Sequence, residues 1–175
     1  MMSKSGRVAA TAVAAGALLL AACSNPPLPP PASERNSPTA MVAAIRAAGA
    51  ADKSVVQVAP LRDPAVDGFL GQAHAAENAG NYQDALDRID AALKLSPDAP
   101  DILQFRAEVE ILLRNYPAAE ADARHSFMLG PKVGSLCASN WQTILEVAEA
   151  QDRQADVTTA RAARDKCHKA GPVRM

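Results

Sequence analysis

The sequence predicts an all-α protein, a short array of helical hairpins carried behind a leader and a proline-rich tether. Three observations point there. Apolar residues make up 49% of the chain but aromatic residues only 3%, so alanine and aliphatic side chains must do the packing. That suits helices in close approach better than a β-sandwich, where β-branched and aromatic residues dominate. Beyond Asp63 the pattern repeats every 34 residues: Ala85, Ile89, Ala92, Leu93, Leu95 and Pro97 meet Ala119, Ala123, Ser126, Phe127, Leu129 and Pro131. Asn81-Tyr82 likewise meets Asn115-Tyr116, and Ala73 meets Ala107. Finally, Gly80, Pro97 and Pro131 punctuate this pattern where hairpins would turn or end. A length of 175 residues allows one ordinary domain with appendages. A formal charge of −1 offers no electrostatic footprint for nucleic acid.

The first element is an address. Lys4 and Arg7 precede an uncharged stretch, residues 8–22, of 15 residues. A membrane-spanning helix needs roughly 20 apolar residues, so residues 1–22 read as a secretory signal peptide. The stretch closes on Leu20-Ala21-Ala22-Cys23, which resembles the lipobox of bacterial lipoproteins. The resemblance implies cleavage before Cys23, lipidation of its thiol and acylation of its amine. Ser24 in place of Asp implies, by the same analogy, the outer membrane and its periplasmic face. Each buried methylene contributes about 0.8 kcal/mol, so several acyl chains anchor almost irreversibly. Without residues 1–22 the chain has 16 bases and 19 acids, so the lipid rather than charge would hold it to the membrane.

Residues 23–62 read as the tether. Pro26, Pro27, Pro29, Pro30, Pro31 and Pro38 fall within thirteen residues; proline locks φ and lacks the amide donor, which favours extended polyproline II. At about 3.1 Å per residue, a dozen such residues would hold a domain roughly 35–40 Å from the bilayer. Met41, Val42 and Ile45 stand at helical spacing and suggest a short helix over 41–48, and residues 55–58 suggest an extended piece. Neither suggests a role.

Residues 63–170 read as the helical domain, with 171–175 as a tail. Asp63-Pro64 suits a helix start. Gly80 tolerates the positive φ that stops a helix, Asn81 can cap the next one, and Ala85 and Ala92 let two helices approach closely. Pro97 ends the hairpin, and Asp98 and Asp101 suit the positive end of the following helix. The 34-residue spacing and the stretch Gly80-Asn81-Tyr82-Gln83-Asp84-Ala85-Leu86 resemble the tetratricopeptide repeat. That resemblance implies a right-handed α-solenoid with repeats at about 64–97 and 98–131. Departures are visible: Gln72 and Arg106 replace the usual leucine, Ala76 and Glu110 the usual aromatic, and Arg114 the glycine. Residues 98–113 are apolar around most of the circumference, as expected for a helix buried within a stack.

A third hairpin is needed to bury enough surface, and residues 135–169 supply one out of register. Leu136, Trp141, Ile144, Leu145 and Ala148 mark its first helix; Val157, Ala160 and Ala163 mark its second. Trp141 reads as core. Cys137 and Cys167 are equidistant from Asp152, within the most polar break. At 1.5 Å per residue both lie about 22 Å from that turn, side by side in an antiparallel pair. In an oxidising compartment they should form a disulfide. The competing readings are a redox pair, which lacks Cys-x-x-Cys spacing, and a metal site, for which adjacent Cys167 and His168 do not converge.

No motif for catalysis appears: no Gly-rich phosphate loop, Gly-x-Ser-x-Gly elbow or His-Glu-x-x-His, and His74, His125 and His168 fall on different hairpins. The expectation is no enzyme, no cofactor and no metal. The tetratricopeptide resemblance implies a concave groove lined by first helices that binds peptides or protein surfaces. Its positions here would be Asp67, Leu70, His74, Glu77 and Asn78 in the first repeat, and Asp101, Gln104, Glu108 and Ile111 in the second. Their acids would favour a basic partner or an N-terminal amine. Three function classes follow: an adaptor or scaffold for an envelope assembly or secretion complex, a structural spacer tied to the cell wall, and an accessory subunit of an envelope enzyme.

Overall fold

A computed structural model describes residues 37–52 and 61–168. The leader, the lipobox with Cys23, residues 55–58 and the tail lie outside the described residues. Among the described residues seven helices appear in order: α1 Pro38–Ala51, α2 Pro64–Asn78, α3 Tyr82–Leu95, α4 Pro100–Leu112, α5 Tyr116–Leu129, α6 Ser135–Ala150 and α7 Gln154–Asp165. Among the described residues there is no strand. Helices α2 to α7 form three hairpins, α2 with α3, α4 with α5 and α6 with α7, and each hairpin packs on the next. The architecture is all-α and of the solenoid kind.

Local chemistry explains the helix ends. Asp63 caps α2 by accepting from the Ala65 N–H at 2.8 Å, with Pro64 at the first helical position. Asn81 and Asn115 occupy the N-cap positions of α3 and α5, but neither side chain makes the capping hydrogen bond expected of Asn81. Asp98 does not cap α4: that position is Ala99, with Asp101 in the first turn.

One turn recurs in all three hairpins. Gly80 has φ +76°, Arg114 +61° and Asp152 +55°. After each, an amide reaches back five residues in a Schellman closure: Asn81 to the Ala76 carbonyl at 2.9 Å, Asn115 to Glu110 at 2.8 Å and Arg153 to Ala148 at 2.9 Å. The turn residues are separated by 34 and then 38 positions, which explains why no single offset fits the third repeat. Helix α6 is three residues longer than α4, and the preceding loop is one residue longer than its counterpart. Left-handed backbone costs an L-residue roughly 1–2 kcal/mol, part of which glycine returns as unfolded-chain entropy. Arg114→Gly should therefore stabilise the protein by up to about 1 kcal/mol. Gly80→Ala should destabilise it by about 1 kcal/mol through backbone alone, since no atom stands within 4 Å of the added methyl. Paired thermal melts of the two variants test the opposite signs.

Helix α4 forms the spine. Ile102, Leu103, Phe105, Ala107, Val109 and Ile111 are all buried, on opposite sides of the helix, because α3, α5, α6 and α1 surround it. The departures from the repeat pattern have local partners. Arg106 donates through Nε and Nη2 to Asp122 at 2.7 and 2.6 Å and through Nη1 to Asp90 at 3.1 Å; the bond to Asp122 raises its already high pKa. Ser126, aligned with Ala92, is fully buried, and its hydroxyl donates to the Pro100 carbonyl at 2.6 Å. Trp141 is partly buried and meets Phe127 edge-on at 5.0 Å.

At the open end of the last hairpin, Cys137 and Cys167 form the expected disulfide, with Cα atoms 5.6 Å apart. The hairpin turns at residues 151–153, where the polar break stands.

The largest difference from expectation is α1. The short helix foreseen at 41–48 spans Pro38–Ala51, capped by the Ser37 hydroxyl, which accepts from the Ala40 N–H at 3.2 Å. Part of the segment read as tether thus folds with the domain. Met41, Val42 and Ile45 are buried against Ile111 and Val147, and α1 packs along α6 and across α4. Gly49 permits that approach, because a Cβ there would run into the Ser139 hydroxyl.

Candidate functional site

The first helices of the hairpins, α2, α4 and α6, would line the predicted groove, but α1 fills the part over α4 and α6. Ile111 is wholly buried under it. Gln104 and Glu108 are buried as well, so three of the nine groove positions are not an open surface. The other six keep some exposure: Asp67, His74 and Asn78 are exposed, while Leu70, Glu77 and Asp101 are half-buried. What persists is a narrower trench, with α1 and α2 as its walls and α4 as its floor.

Arg46, on the face of α1 that turns to α2, spans this trench. Its Nη2 donates to Glu77 at 2.6 Å and its Nε to Glu108 at 2.7 Å. Two of the predicted groove acids, Glu77 and Glu108, thus meet a base that comes from the same chain. Arg46 also lines the cavities to either side. One, about 240 Å³, lies among Arg62, Leu70, His74, Gln104, Phe105 and Glu108. The other, about 290 Å³, lies among Thr39, Val42, Glu77, Asn78, Tyr82 and Leu112. The His74 imidazole stacks on Phe105, ring centres 4.2 Å apart, and its Nδ1 stands 3.6 Å from Glu77. Arg62 pairs with Asp101 at the N-terminal end of α4. A larger cavity of about 410 Å³, lined in part by Asp52, Arg164 and His168, shares none of the predicted groove positions.

Burial pushes the Glu108 carboxyl above the ordinary carboxylate range, against the opposing pull of Arg46 and Gln104. An acid whose folded pKa is raised contributes stability below its unfolded pKa, and that contribution is lost as pH rises through the folded value. Glu108→Gln should therefore raise the melting temperature relative to the parent more at pH 7 than at pH 4. A gain that is equal or larger at pH 4 would contradict this reading.

Among the described residues no three His, Cys, Asp or Glu side chains cluster to hold a metal. His74, His125 and His168 lie on or beside α2, α5 and α7 respectively. Among the described residues no helix is long and apolar enough to cross a membrane.

Sequence reasoning missed Arg46, Arg62 and the cavity face of Phe105. A signal for Arg46 was present: it borders the apolar stripe of Met41, Val42, Ile45 and Gly49, where a helix that docks by one face meets its neighbour's charges. Arg62 just precedes the Asp63-Pro64 start, and nothing in its local pattern distinguishes it.

No protein-family model matches the chain. No curated protein matches it either. Among solved structures it is similar to the globular C-terminal domain of LpoP from P. aeruginosa, with a TM-score of 0.53 and 25% identity over 61% of this chain and 98% of that domain.

Proposed function

We propose that this chain is a lipid-anchored periplasmic protein that binds a protein partner through its helical domain, as an adaptor or scaffold for an envelope assembly or secretion complex. The observation that carries this reading is the trench between α1 and α2, which leaves Asp67, His74 and Asn78 accessible beside two cavities. The leader ending in Leu20-Ala21-Ala22-Cys23 supports the lipid anchor and outer-membrane placement, and the disulfide suits an oxidising compartment. Likeness to the globular C-terminal domain of LpoP supports treating the helical domain as a folded unit of its own.

Site-specific photo-crosslinking in living cells tests the reading, with the probe replacing His74 in the trench or His125 on α5. A discrete protein adduct from His74 and none from His125 is the expected result. If that adduct is an enzyme, the chain is its accessory subunit. No adduct from either position, with the protein folded and anchored, would leave the cell-wall spacer as the better description.

A further inference from the structure

We infer that α1 is an autoinhibitory latch: docked, it covers the floor formed by α4 and α6 and holds Glu77 and Glu108 through Arg46, and the protein partner engages fully only when it lifts. This rests on the protein-binding reading above and concerns the regulation of that same site.

The apolar clusters that hold the hairpins together contain no residue of α1. Helix α1 belongs to a separate cluster, in which Met41, Val42 and Ile45 meet Ile111, Ala119 and Val147. Lifting it therefore takes apart one cluster and leaves the others whole. A helix of 14 residues is marginal in water on its own, so α1 keeps its shape by docking and gives way as a unit when the contact is lost. In the sequence it stands between Cys23 and the hairpins, so the tether is joined to the latch rather than to the hairpins.

The floor beneath it is not built as a plain interior. Helices α4 and α6 carry a polar row there: Gln104 donates to Glu108 at 3.1 Å and to Thr143 at 2.9 Å, and all three side chains are buried. A buried carboxylate persists only when paired, and Arg46 is the partner, donating to Glu108 at 2.7 Å and to Glu77 at 2.6 Å. Arg46 itself is exposed, so these bonds lie at a seam where water takes them over once α1 moves. A permanent core gains little from such a pair, because apolar side chains of similar volume often serve as well or better. A floor that is uncovered in a second state does gain from it. Ile111 and Val147 are wholly buried, and exposing them is unfavourable, which keeps the latch closed until a partner covers them. Apparent affinity then falls with the fraction of molecules that are open.

The contact between α1 and α6 offers a lock. A Cβ at Gly49 would stand 3.8 Å from that of Ser139, the mean separation across a disulfide. Gly49→Cys with Ser139→Cys should link the two helices in the oxidising periplasm, and Gly49→Ala with Ser139→Ala is the unlinked control. The test uses the full-length lipoprotein in cells, with the photo-probe at His74. The linked variant should give about tenfold less partner adduct than the control, and Ile45→Ala should give more than the parent. Equal adduct from the linked variant and its control would overturn the latch while leaving the protein-binding reading intact. If Ile45→Ala fails to accumulate, the linked variant and its control decide. Failure of the two cysteines to link would show that α1 is not seated on α6, and would overturn the latch as well. No adduct from the parent, the control or Ile45→Ala would remove the protein-binding reading and the latch with it.

Discussion

Replacing Cys137 and Cys167 together by alanine is expected to destabilise the domain by about 3.6 kcal/mol, from the chain-entropy model for a loop of roughly 30 residues. For a domain of this size that is a fall in melting temperature of roughly 10–15 °C. Alanine is the informative replacement because both positions are buried, and serine would add an unsatisfied hydroxyl to the loss of the link. The bond joins the start of α6 to the turn after α7, so it closes the whole terminal hairpin. The Gly134 N–H also donates to the Cys167 carbonyl at 2.9 Å at the same place. Thermal unfolding with and without reductant gives the measurement. The parent under reductant should approach the double variant, and a difference below about 1 kcal/mol would show that packing alone holds α7.

Ile45→Ala should cost about 2–4 kcal/mol, the range for truncating a fully buried aliphatic side chain. Ile45 is completely buried between α1 and the floor formed by Ile111 and Val147. The effect should be local as well as global. With that contact weakened, α1 should lose amide hydrogen-exchange protection ahead of α2 to α7, because the two clusters that hold the hairpins together, one among α2, α3 and α4 and one among α4 to α7, contain no residue of α1. Arg46 would then leave Glu77 and Glu108, and the trench would widen toward the groove that the repeat pattern implies. Unchanged exchange in α1, with the same melting temperature, would contradict its role as a docked element of the fold.

Much of the architecture was legible because it depends on local patterns. The positions of α3 and α5 followed from Ala85, Ala92 and their partners 34 residues on. The break at Asp152 placed the last turn, and the spacing of Cys137 and Cys167 about it placed the disulfide. Both follow from helical rise and hairpin symmetry, which a sequence states directly. The register of the third repeat did not, because its four additional residues are shared between α6 and the loop before it, and no single offset describes them.

The site was legible only in part for a different reason. Asp67, Glu77, Asp101 and Glu108 are acids at groove spacing, and the sequence alone implied an acidic groove awaiting a basic partner. Which side chain answers those acids depends on residues distant in sequence, 31 positions apart for Arg46 with Glu77 and 62 for Arg46 with Glu108. The amphipathic pattern of 41–49 was visible, but its docking surface was not, since the same stripe would suit any apolar groove. Local periodicity therefore determined the helical class, two of the three repeats, the polar turn and the cysteine pair. Only the tertiary structure decided that α1 fills the part of the groove over α4 and α6 and that a trench remains beside α2, because long-range packing chooses among faces that local sequence leaves equivalent.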